Sequence, residues 1–585
     1  MFKPAWAAML VASCCSAYAE NIEHISIYAN RTATAQPDVL ASITVLQRDD
    51  IVARQAQDLP ALLAQLPGVN LSRDGGRGQS SGVYIRGGNT GHTLVLVDGV
   101  RTGSATLGYK SLAMLPLELI ERIEVIRGPR AAWYGSDALA GVIAITTRRA
   151  EALELNVNTG SYRQAGTDLS VSHATEQLTL RATVGASRAD GFNVREDLDP
   201  DADGYEQRFI KLAADYRTAI GQVTAQADVN SGFYQFDTAW GTEDEADTLN
   251  RAYLLAWQQQ AGNWQHQAQI SRNLDRETTF GPDSRSPFNT ARDEFSYQAG
   301  TELTAALNVL CGLNWYQEQV SKAEPDFEQN SRINRALFAG LNYQQDGLQL
   351  EAAARRDIIN QYGGNNTWQL AAGYQLSEHW LVRASRGAAF KAPSFNELYY
   401  PGFANPELKP QESIADELAL RYQHAGITAQ LAWFDRDVTN LIQGVEQAEN
   451  VLLASIQGVE FSLNKHWQHV SSAFAYTWLD SENHSTGFKL ERRPEHSVNW
   501  RTGYTATDWA VDVTMSYQSE TYQGAFAAVA DLGGFTLWQL GGSYQLTPAL
   551  KVRATLDNLF DKQYQSSAGY ATAGMNWRLS ISYVP

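Results

Sequence analysis

From about residue 150 to the C-terminus, apolar and polar residues alternate along the chain. The alternation is clearest in five runs: 153–157, 178–184, 223–229, 348–352 and 577–583. This spacing is typical of β-strands with one apolar and one polar face, because successive side chains of a strand point to opposite sides. No helical periodicity interrupts the pattern. The region 149–585 is therefore predicted to be a long series of strands.

The length of this series favours a closed barrel. Half-buried strands of a soluble sandwich alternate in the same way, but so large a soluble sheet needs other layers to cover it. A closed barrel has no free edge, so all its backbone N–H and C=O groups form hydrogen bonds within the barrel even in a membrane. At roughly 10 residues per spanning strand plus turns and outer loops, about 22 strands fit. A barrel this wide encloses a lumen that must be filled.

The preceding region, 37–148, has a mixed pattern. Helical spacing between Val39 and Leu66 ends at Pro67 and Gly68, and strand-like runs follow at 82–86, 93–97 and 120–126. The predicted fold is thus an all-β transmembrane antiparallel barrel, residues 149–585, with an N-terminal α+β plug domain, residues 37–148, in its lumen.

The first 19 residues are predicted to be a secretory signal peptide. Lys3 precedes an apolar stretch at 5–12, and Ala17-Tyr18-Ala19 is a small-x-small cleavage site. The run 11–14 also resembles a lipoprotein cleavage box, which remains an alternative. Residues 20–36 then form an N-terminal segment. Cys311 is the one cysteine after the signal, so no internal disulfide is expected.

Composition narrows the class of protein. A net charge of −18 argues against a nucleic-acid partner. Mean hydropathy is −0.33, and past the first 20 residues no run of 18 apolar residues offers a transmembrane helix. The 15 Trp, 26 Tyr and 20 Phe suit the aromatic belts of a membrane barrel. No catalytic or nucleotide-binding motif is found, so we expect neither an enzyme nor a bound nucleotide.

Several motifs resemble those of TonB-dependent outer-membrane receptors. They are Leu66-Pro-Gly-Val69, Val95-Leu-Val-Asp-Gly-Val-Arg101, Ile123–Arg130, Trp133–Val142, Ala389–Pro393 and Asp557–Tyr564. The resemblance implies energised import across the outer membrane, a TonB-type coupling partner, contact with outer-membrane lipid and a monomeric chain.

Part of the plug is similar to the cobalamin-receptor branch of that family. The similarity covers the segment from Asp74 through Arg101, together with Tyr134–Asp137 after Arg130. It implies cobalamin or another corrinoid as substrate. A ferric siderophore or haem is the alternative within the family. A passive porin and a secreted β-rich enzyme are alternatives of other classes, disfavoured by the plug and by the lack of a catalytic set.

The segment after the signal resembles a TonB box. An extended segment of this kind can add as a strand to a partner sheet through main-chain hydrogen bonds. An ordinary N-terminal strand is the competing interpretation. The predicted box comprises Glu23, His24, Ile25, Ser26, Ile27, Tyr28 and Ala29.

An acidic stretch at 197–204 suggests a calcium site. Asp199, Asp201 and Asp203 fit the start of an EF-hand loop, but Ile210 stands where that loop needs a bidentate glutamate, so an EF-hand is excluded. The stretch instead resembles the calcium-binding outer loop of the cobalamin receptors. A plain solvated acidic loop is the alternative. The resemblance implies Asp201, Asp203, Asp237 and Asp247 as ligands, with Asp199 and Asn193 as further candidates.

The resemblance also implies a corrinoid-binding surface of small and polar residues on plug and barrel. Arg492 contributes from the barrel, although Arg492-Arg493-Pro494 is equally a pattern found at the start of strands. The implied plug contacts are Ser80, Gly82, Asn89, Leu107 and Gly108.

Overall fold

The structure, a computed structural model, describes residues 25–26, 28–31, 34–148, 153–197, 200–238, 244–281, 284–444, 447–525 and 528–585. Within these ranges no helix is both long enough and apolar enough to serve as a membrane span.

The N-terminal domain combines short helices with a mixed sheet. Its strands are β1 (Ile25–Ser26), β2 (Thr34–Ala35), β3 (Ser42–Gln47), β4 (Val69–Arg73), β5 (Ser81–Ile85), β6 (Thr93–Val97), β7 (Val100–Thr102), β8 (Ile120–Arg127) and β9 (Gly141–Thr147), and its helices are α1 (Arg48–Arg54), α2 (Leu59–Leu63) and α3 (Ala131–Tyr134). Five strands form one sheet in the order β3-β8-β9-β6-β7, in which β6 and β9 run parallel.

The core of this domain lies between α2 and the sheet. Leu59, Leu62 and Leu63 are fully buried in one apolar cluster with Ile123 and Ile143. Helix α2 starts where the Asp58 side chain accepts a hydrogen bond from the Ala61 amide at 2.9 Å, which satisfies one free N–H of the first turn.

The single helical pattern predicted between Val39 and Leu66 is wrong in detail. Residues 42–47 form β3 instead, because they pair with β8 in the plug sheet. The rest divides into two helices at Gln55, whose φ of 47° is left-handed and ends α1. Sheet pairing and a local break thus override the helical spacing.

The rest of the chain contains 25 strands within the described ranges, of which 22 form a closed antiparallel barrel, and this confirms the predicted fold class. The barrel closes where β10 pairs with β34, with Leu155 opposite Tyr583. The strands are β10 (Glu154–Gly160), β11 (Gln164–Ala174), β12 (Leu178–Phe192), β13 (Asp203–Thr218), β14 (Gly221–Gln235), β15 (Glu245–Ala261), β16 (Trp264–Phe280), β17 (Arg285–Thr304), β18 (Leu307–Ala323), β19 (Ser331–Gln345), β20 (Leu348–Ile359), β21 (Gly363–Ser377), β22 (Trp380–Lys391), β23 (Gln411–His424), β24 (Ile427–Gln443), β25 (Glu449–His466), β26 (Val470–Asn483), β27 (Phe488–Lys489), β28 (His496–Thr505), β29 (Trp509–Gln518), β30 (Thr521–Ala525), β31 (Ala528–Leu532), β32 (Phe535–Thr547), β33 (Leu550–Asp557) and β34 (Asn576–Tyr583).

Three short strands and one helix belong to the loops rather than to the wall. Strand β27 pairs only with the end of β26, and β30 and β31 form a separate hairpin. Helix α4 (Phe395–Tyr399) lies in the long loop between β22 and β23.

The two rims of the barrel differ. One rim carries turns of a few residues, such as 219–220 and 262–263, whereas the other carries long loops at 392–410, 519–534 and 558–575. In outer-membrane barrels the short turns face the periplasm and the longer loops face outside. The long-loop rim is therefore the outer rim.

Alternation along each strand separates lipid-facing from lumen-facing residues. On β12, Leu180 and Val184 are exposed on the outer wall, whereas Thr183 and Ser187 are buried toward the plug. The apolar members of the sequence pattern thus meet lipid, and the polar members meet the plug.

Candidate functional site

Buried ion pairs fasten the plug to the barrel wall. The Arg86 guanidinium contacts Glu417 at 2.6 Å and Glu460 at 2.8 Å, and Arg127 reaches Glu460 at 3.3 Å. Arg436 of the wall donates to the backbone oxygen of Arg86 at 2.7 Å. Burial lowers the pKa of Arg86, but Glu460 and Glu417 outweigh that effect and hold it above its ordinary value. Buried charges of opposite sign on the plug and the wall thus hold the plug in place.

A second set of contacts holds α3. Arg130 contacts Glu351 of the wall at 2.9 Å, and the fully buried Trp133 indole donates to the same carboxylate at 3.3 Å. Together with Arg86, these contacts fix the plug against two separate sectors of the wall.

The predicted ligand contacts of the plug lie toward the outer rim, Gly82 at the start of β5 and the others in loops. Ser80 and Leu107 are exposed, the latter by 41%, while Gly82, Asn89 and Gly108 are half-buried. The structure therefore brings these residues to one side of the plug, where a ligand from outside would meet them.

The barrel loop 392–410 forms hydrogen bonds to the plug loop 104–108, which carries Leu107 and Gly108. The amides of Phe395 and Asn396 donate to the backbone oxygens of Ala105 and Thr106, both at 3.1 Å. Lys391 donates to the oxygen of Gly108 at 2.8 Å. These contacts fix the loop, and Leu107 is exposed on its outer side.

Gly108 is required at its position in this loop. Its φ is 73°, and a Cβ there would lie 3.0 Å from the Cβ of Ser394 and 3.2 Å from the Lys391 Nζ.

Arg493, which the sequence reasoning missed, makes the contact between barrel and plug at this point. Its guanidinium donates to the Gly87 oxygen at 3.1 Å and to the Asn89 side chain, and lies 4.4 Å from the Tyr84 ring centroid. Only its neighbour Arg492 was predicted. Both arginines lie shortly before the start of a strand, so their positions in the sequence do not indicate which of them contacts the plug.

Arg492 lies in a strained turn near the same surface. Its φ is 60° and its amide donates to the Tyr522 oxygen at 2.8 Å. Burial raises the pKa of the plug residue Tyr109 to about 12, with Glu277 acting in the same direction and Arg492 against it. Arg492 thus acts electrostatically on the plug from the barrel.

Three of the predicted calcium ligands converge. Carboxylate oxygens of Asp201, Asp203 and Asp237 lie within 4.8 Å of one another, and the last two residues are buried. The Val194 amide donates to Asp203 at 3.0 Å, which links this group to the loop that begins at Asn193. The side-chain oxygen of Asn193 itself accepts from the Arg195 amide at 2.8 Å.

The structure does not bring Asp247 to this group, and Asp199 lies outside the described residues. Asp247 is exposed and pairs across the ladder with Phe233, whereas its neighbour Ala246 is fully buried. Because neighbouring residues of a strand face opposite sides, Asp247 belongs to the outer wall.

At the opposite rim, the end of the predicted TonB box is docked under the plug. The Tyr28 amide donates to Glu124 at 3.2 Å, and its oxygen accepts from the Tyr134 hydroxyl at 2.7 Å. Ala29 is buried, and the Arg31 guanidinium lies 4.6 Å and 4.5 Å from the ring centroids of Tyr134 and Phe338.

The earlier part of the box is extended. Ile25 and Ser26 form β1 and pair with β2, while Glu23, His24 and Ile27 lie outside the described residues. Beside the docked part, a cavity of about 1180 Å³ opens between the plug and the short-turn rim, lined by Tyr28, Asp98 and Gly262 among others. The space could admit a partner segment.

Family models match both parts of the chain. The model described as "TonB dependent receptor-like, beta-barrel" matches residues 147–559, and the "TonB-dependent Receptor Plug Domain" matches residues 35–142.

Curated relatives and solved structures resemble the chain over most of its length. "Vitamin B12 transporter BtuB" of Photobacterium profundum is 33% identical over 95% of both chains, and the protein of that name from Vibrio vulnificus is 28% identical over 96% of this chain and 95% of its own. The ferric enterobactin receptor PfeA of Pseudomonas aeruginosa has a TM-score of 0.81 at 20% identity, covering 93% of this chain and 98% of its own. The siderophore receptor PirA of Acinetobacter baumannii has a TM-score of 0.81 at 18% identity, covering 92% and 98%.

Proposed function

The chain belongs to the TonB-dependent receptor family of the outer membrane, and from this premise we propose that it imports cobalamin or a related corrinoid. The observation that carries the choice of substrate is the 33% identity, over 95% of both chains, to a vitamin B12 transporter. The siderophore receptors among the structural neighbours share the fold at much lower identity.

The plug determines how such transport must work. It occupies the lumen and is tied to the wall by buried ion pairs such as Arg86 with Glu417 and Glu460, so a bulky substrate cannot pass by diffusion. In this proposal a TonB-type partner adds to the N-terminal segment and pulls the plug aside. That partner supplies the free energy that moves the plug.

The outer surface of the plug suits a large ligand with amide groups around its edge. Ser80 and Asn89 offer polar side chains, and Leu107 offers an exposed apolar one. Arg492 belongs to the barrel and adjoins Arg493, whose guanidinium donates to the Asn89 side chain. In this proposal Leu107 covers an apolar part of the ligand, while the polar groups bind its amides.

Binding measurements with the purified chain test the proposed identity of the substrate. We expect cyanocobalamin to bind to the full chain in detergent, and a ferric catecholate siderophore not to bind. Leu107→Asp should weaken cyanocobalamin binding about tenfold, because a charge replaces an apolar contact of about 1.4 kcal/mol. Phe560→Asp is the matched control, since Phe560 is 71% exposed in the outer loop 558–575 and its ring centroid lies 6.3 Å from that of Trp538 of the wall.

Binding of the siderophore alone would instead support the alternative within the family. Equal weakening by both substitutions would contradict the placement of the ligand on loop 104–108.

We further propose that calcium orders the outer loops at Asp201, Asp203 and Asp237. Three carboxylates whose oxygens lie within 4.8 Å repel one another, and hard oxygen donors of this kind suit Ca²⁺. The donor set fits the cation, which would supply the positive charge that holds the start of β13 beside the loop after β14.

A chelator should therefore weaken cyanocobalamin binding, by roughly tenfold for a typical coupling between two sites. The pair of substitutions Asp201→Asn and Asp203→Asn should remove this sensitivity, because amides keep the shape and lose the charge. Asp247→Asn is the control, since Asp247 is exposed on the outer wall. Wild-type affinity that is unchanged by chelator would refute the calcium site.

A further inference from the structure

A small chamber lies where the plug loop 104–109 meets the barrel wall. Its volume is about 20 Å³, enough for one water-sized or monatomic species. Six charged side chains line it: Arg101 and Asp137 from the plug, and Arg292, Glu318, Arg332 and Lys391 from the wall.

The charges around the chamber do not balance. Lys391 and Arg101 both contact Asp137 at 3.1 Å, and Glu318 is shared between Arg332, at 2.6 Å, and Arg292. Four cations thus face two carboxylates, which leaves an excess of two positive charges.

Neighbouring charges do not remove the excess. Glu294 acts on Arg292, but Arg31 lies close enough to Glu294 to offset it. Arg355 and Asp357 contact each other at 2.7 Å and cancel.

The excess is also poorly screened. Lys391 is 4% exposed, Arg101 6% and Arg332 7%. Water has little access to these groups, and lysine and arginine offer only hydrogen-bond donors to whatever fills the chamber.

We propose that this chamber binds a single small inorganic anion of the halide class. A monatomic anion fits the volume, meets donors from both domains and offsets part of the excess charge. Sulfate and phosphate are too large for the space. The anion would join Arg101 of the plug to the wall beneath the loop that carries Leu107, and the proposal stands whatever ligand that loop binds.

The wall also offers a matched control for salt effects. Lys211 is 7% exposed, and its Nζ lies 2.6 Å from Asp98 and 3.9 Å from Asp228. It is a buried lysine among carboxylates, where no anion should bind.

Thermal unfolding of the full chain in detergent tests the proposal in solution. At fixed ionic strength, chloride and bromide should raise the unfolding midpoint by about 2 °C relative to gluconate, by preferential binding to the folded state, and sulfate should not. Lys391→Met should lose the halide response, and Lys211→Met should keep it. Equal midpoints in all salts, or the same halide response in both variants, would overturn the proposal.

Crystals of the wild-type chain grown in bromide give a test that needs no variant. We expect an anomalous peak inside the chamber within contact of Lys391 and Arg292. Density for water alone, without an anomalous signal, would show that the cavity is merely hydrated and would refute anion binding.

Discussion

Replacing Ile25 with proline should abolish energised uptake while ligand binding at the cell surface stays unchanged. Ile25 lies in β1, already extended and paired with Ala35. If the TonB-type partner engages this segment as an added strand, main-chain hydrogen bonds carry the pull. Proline has no N–H to donate and is not tolerated in the interior of a ladder. Uptake of labelled cyanocobalamin, measured beside surface binding at 4 °C in de-energised cells, separates the two effects.

Ile25→Thr is the matched control, because threonine keeps both the backbone donor and the β-branched shape. It should transport nearly as well as the wild type. Ile27→Pro is expected to behave like Ile25→Pro, although Ile27 lies outside the described residues. Normal uptake by both proline variants would rule out the segment 23–29 as the coupling site.

Arg86→Met should loosen the plug within the barrel. The substitution leaves Glu417 and Glu460 buried with less compensation, and breaking a buried ion pair by removing one partner costs about 3–5 kcal/mol. Arg127 and Arg383 retain contacts to these carboxylates at 3.3 Å and 3.4 Å, which should keep the loss toward the lower end. We expect cells to become sensitive to large antibiotics, and the plug to become accessible to protease in purified protein.

A conservative variant separates the lost charge from the lost geometry. Arg86→Lys should leave the plug tighter in the barrel than Arg86→Met does, because lysine keeps a positive charge beside Glu417 and Glu460 and loses only the fork of the guanidinium. Arg356→Met is the control, since Arg356 is exposed on the outer wall. If Arg86→Met stays as impermeable and protease-resistant as the wild type, these ion pairs do not hold the plug.

The barrel could be predicted from the sequence because its physical cause is local and repeats. Each spanning strand must present lipid on one side and the lumen on the other, so the alternation at 178–184 or 577–583 records the environment directly. The strand predicted at 93–97 matches β6, and the strand at 120–126 matches β8 to within one residue. A closed barrel could also be predicted, because only closure gives hydrogen-bond partners to the backbone groups at the edges of so many half-apolar strands.

The helical pattern at 39–66 shows where local reasoning stopped. The predicted helical spacing agrees with the structure in α2, where Leu59, Leu62 and Leu63 share one buried face. It failed at 42–47, because the partner strand β8 lies almost eighty residues away along the chain, and nothing local reveals that pairing.

The sequence by itself determined the alternation of the wall, the division into plug and barrel, and the residue types of the outer surface. Only the tertiary structure decided that Arg493, the neighbour of the predicted Arg492, hydrogen-bonds to the plug. It also decided that Asp203 and Asp237 face one another while Asp247 faces away, and that Lys391 and Arg292 meet Arg101 around one chamber. The physical reason is the same in each case. A single residue step along a strand reverses the side that a group faces, and contacts between plug and wall join residues hundreds of positions apart, so spacing along the chain carries no record of them.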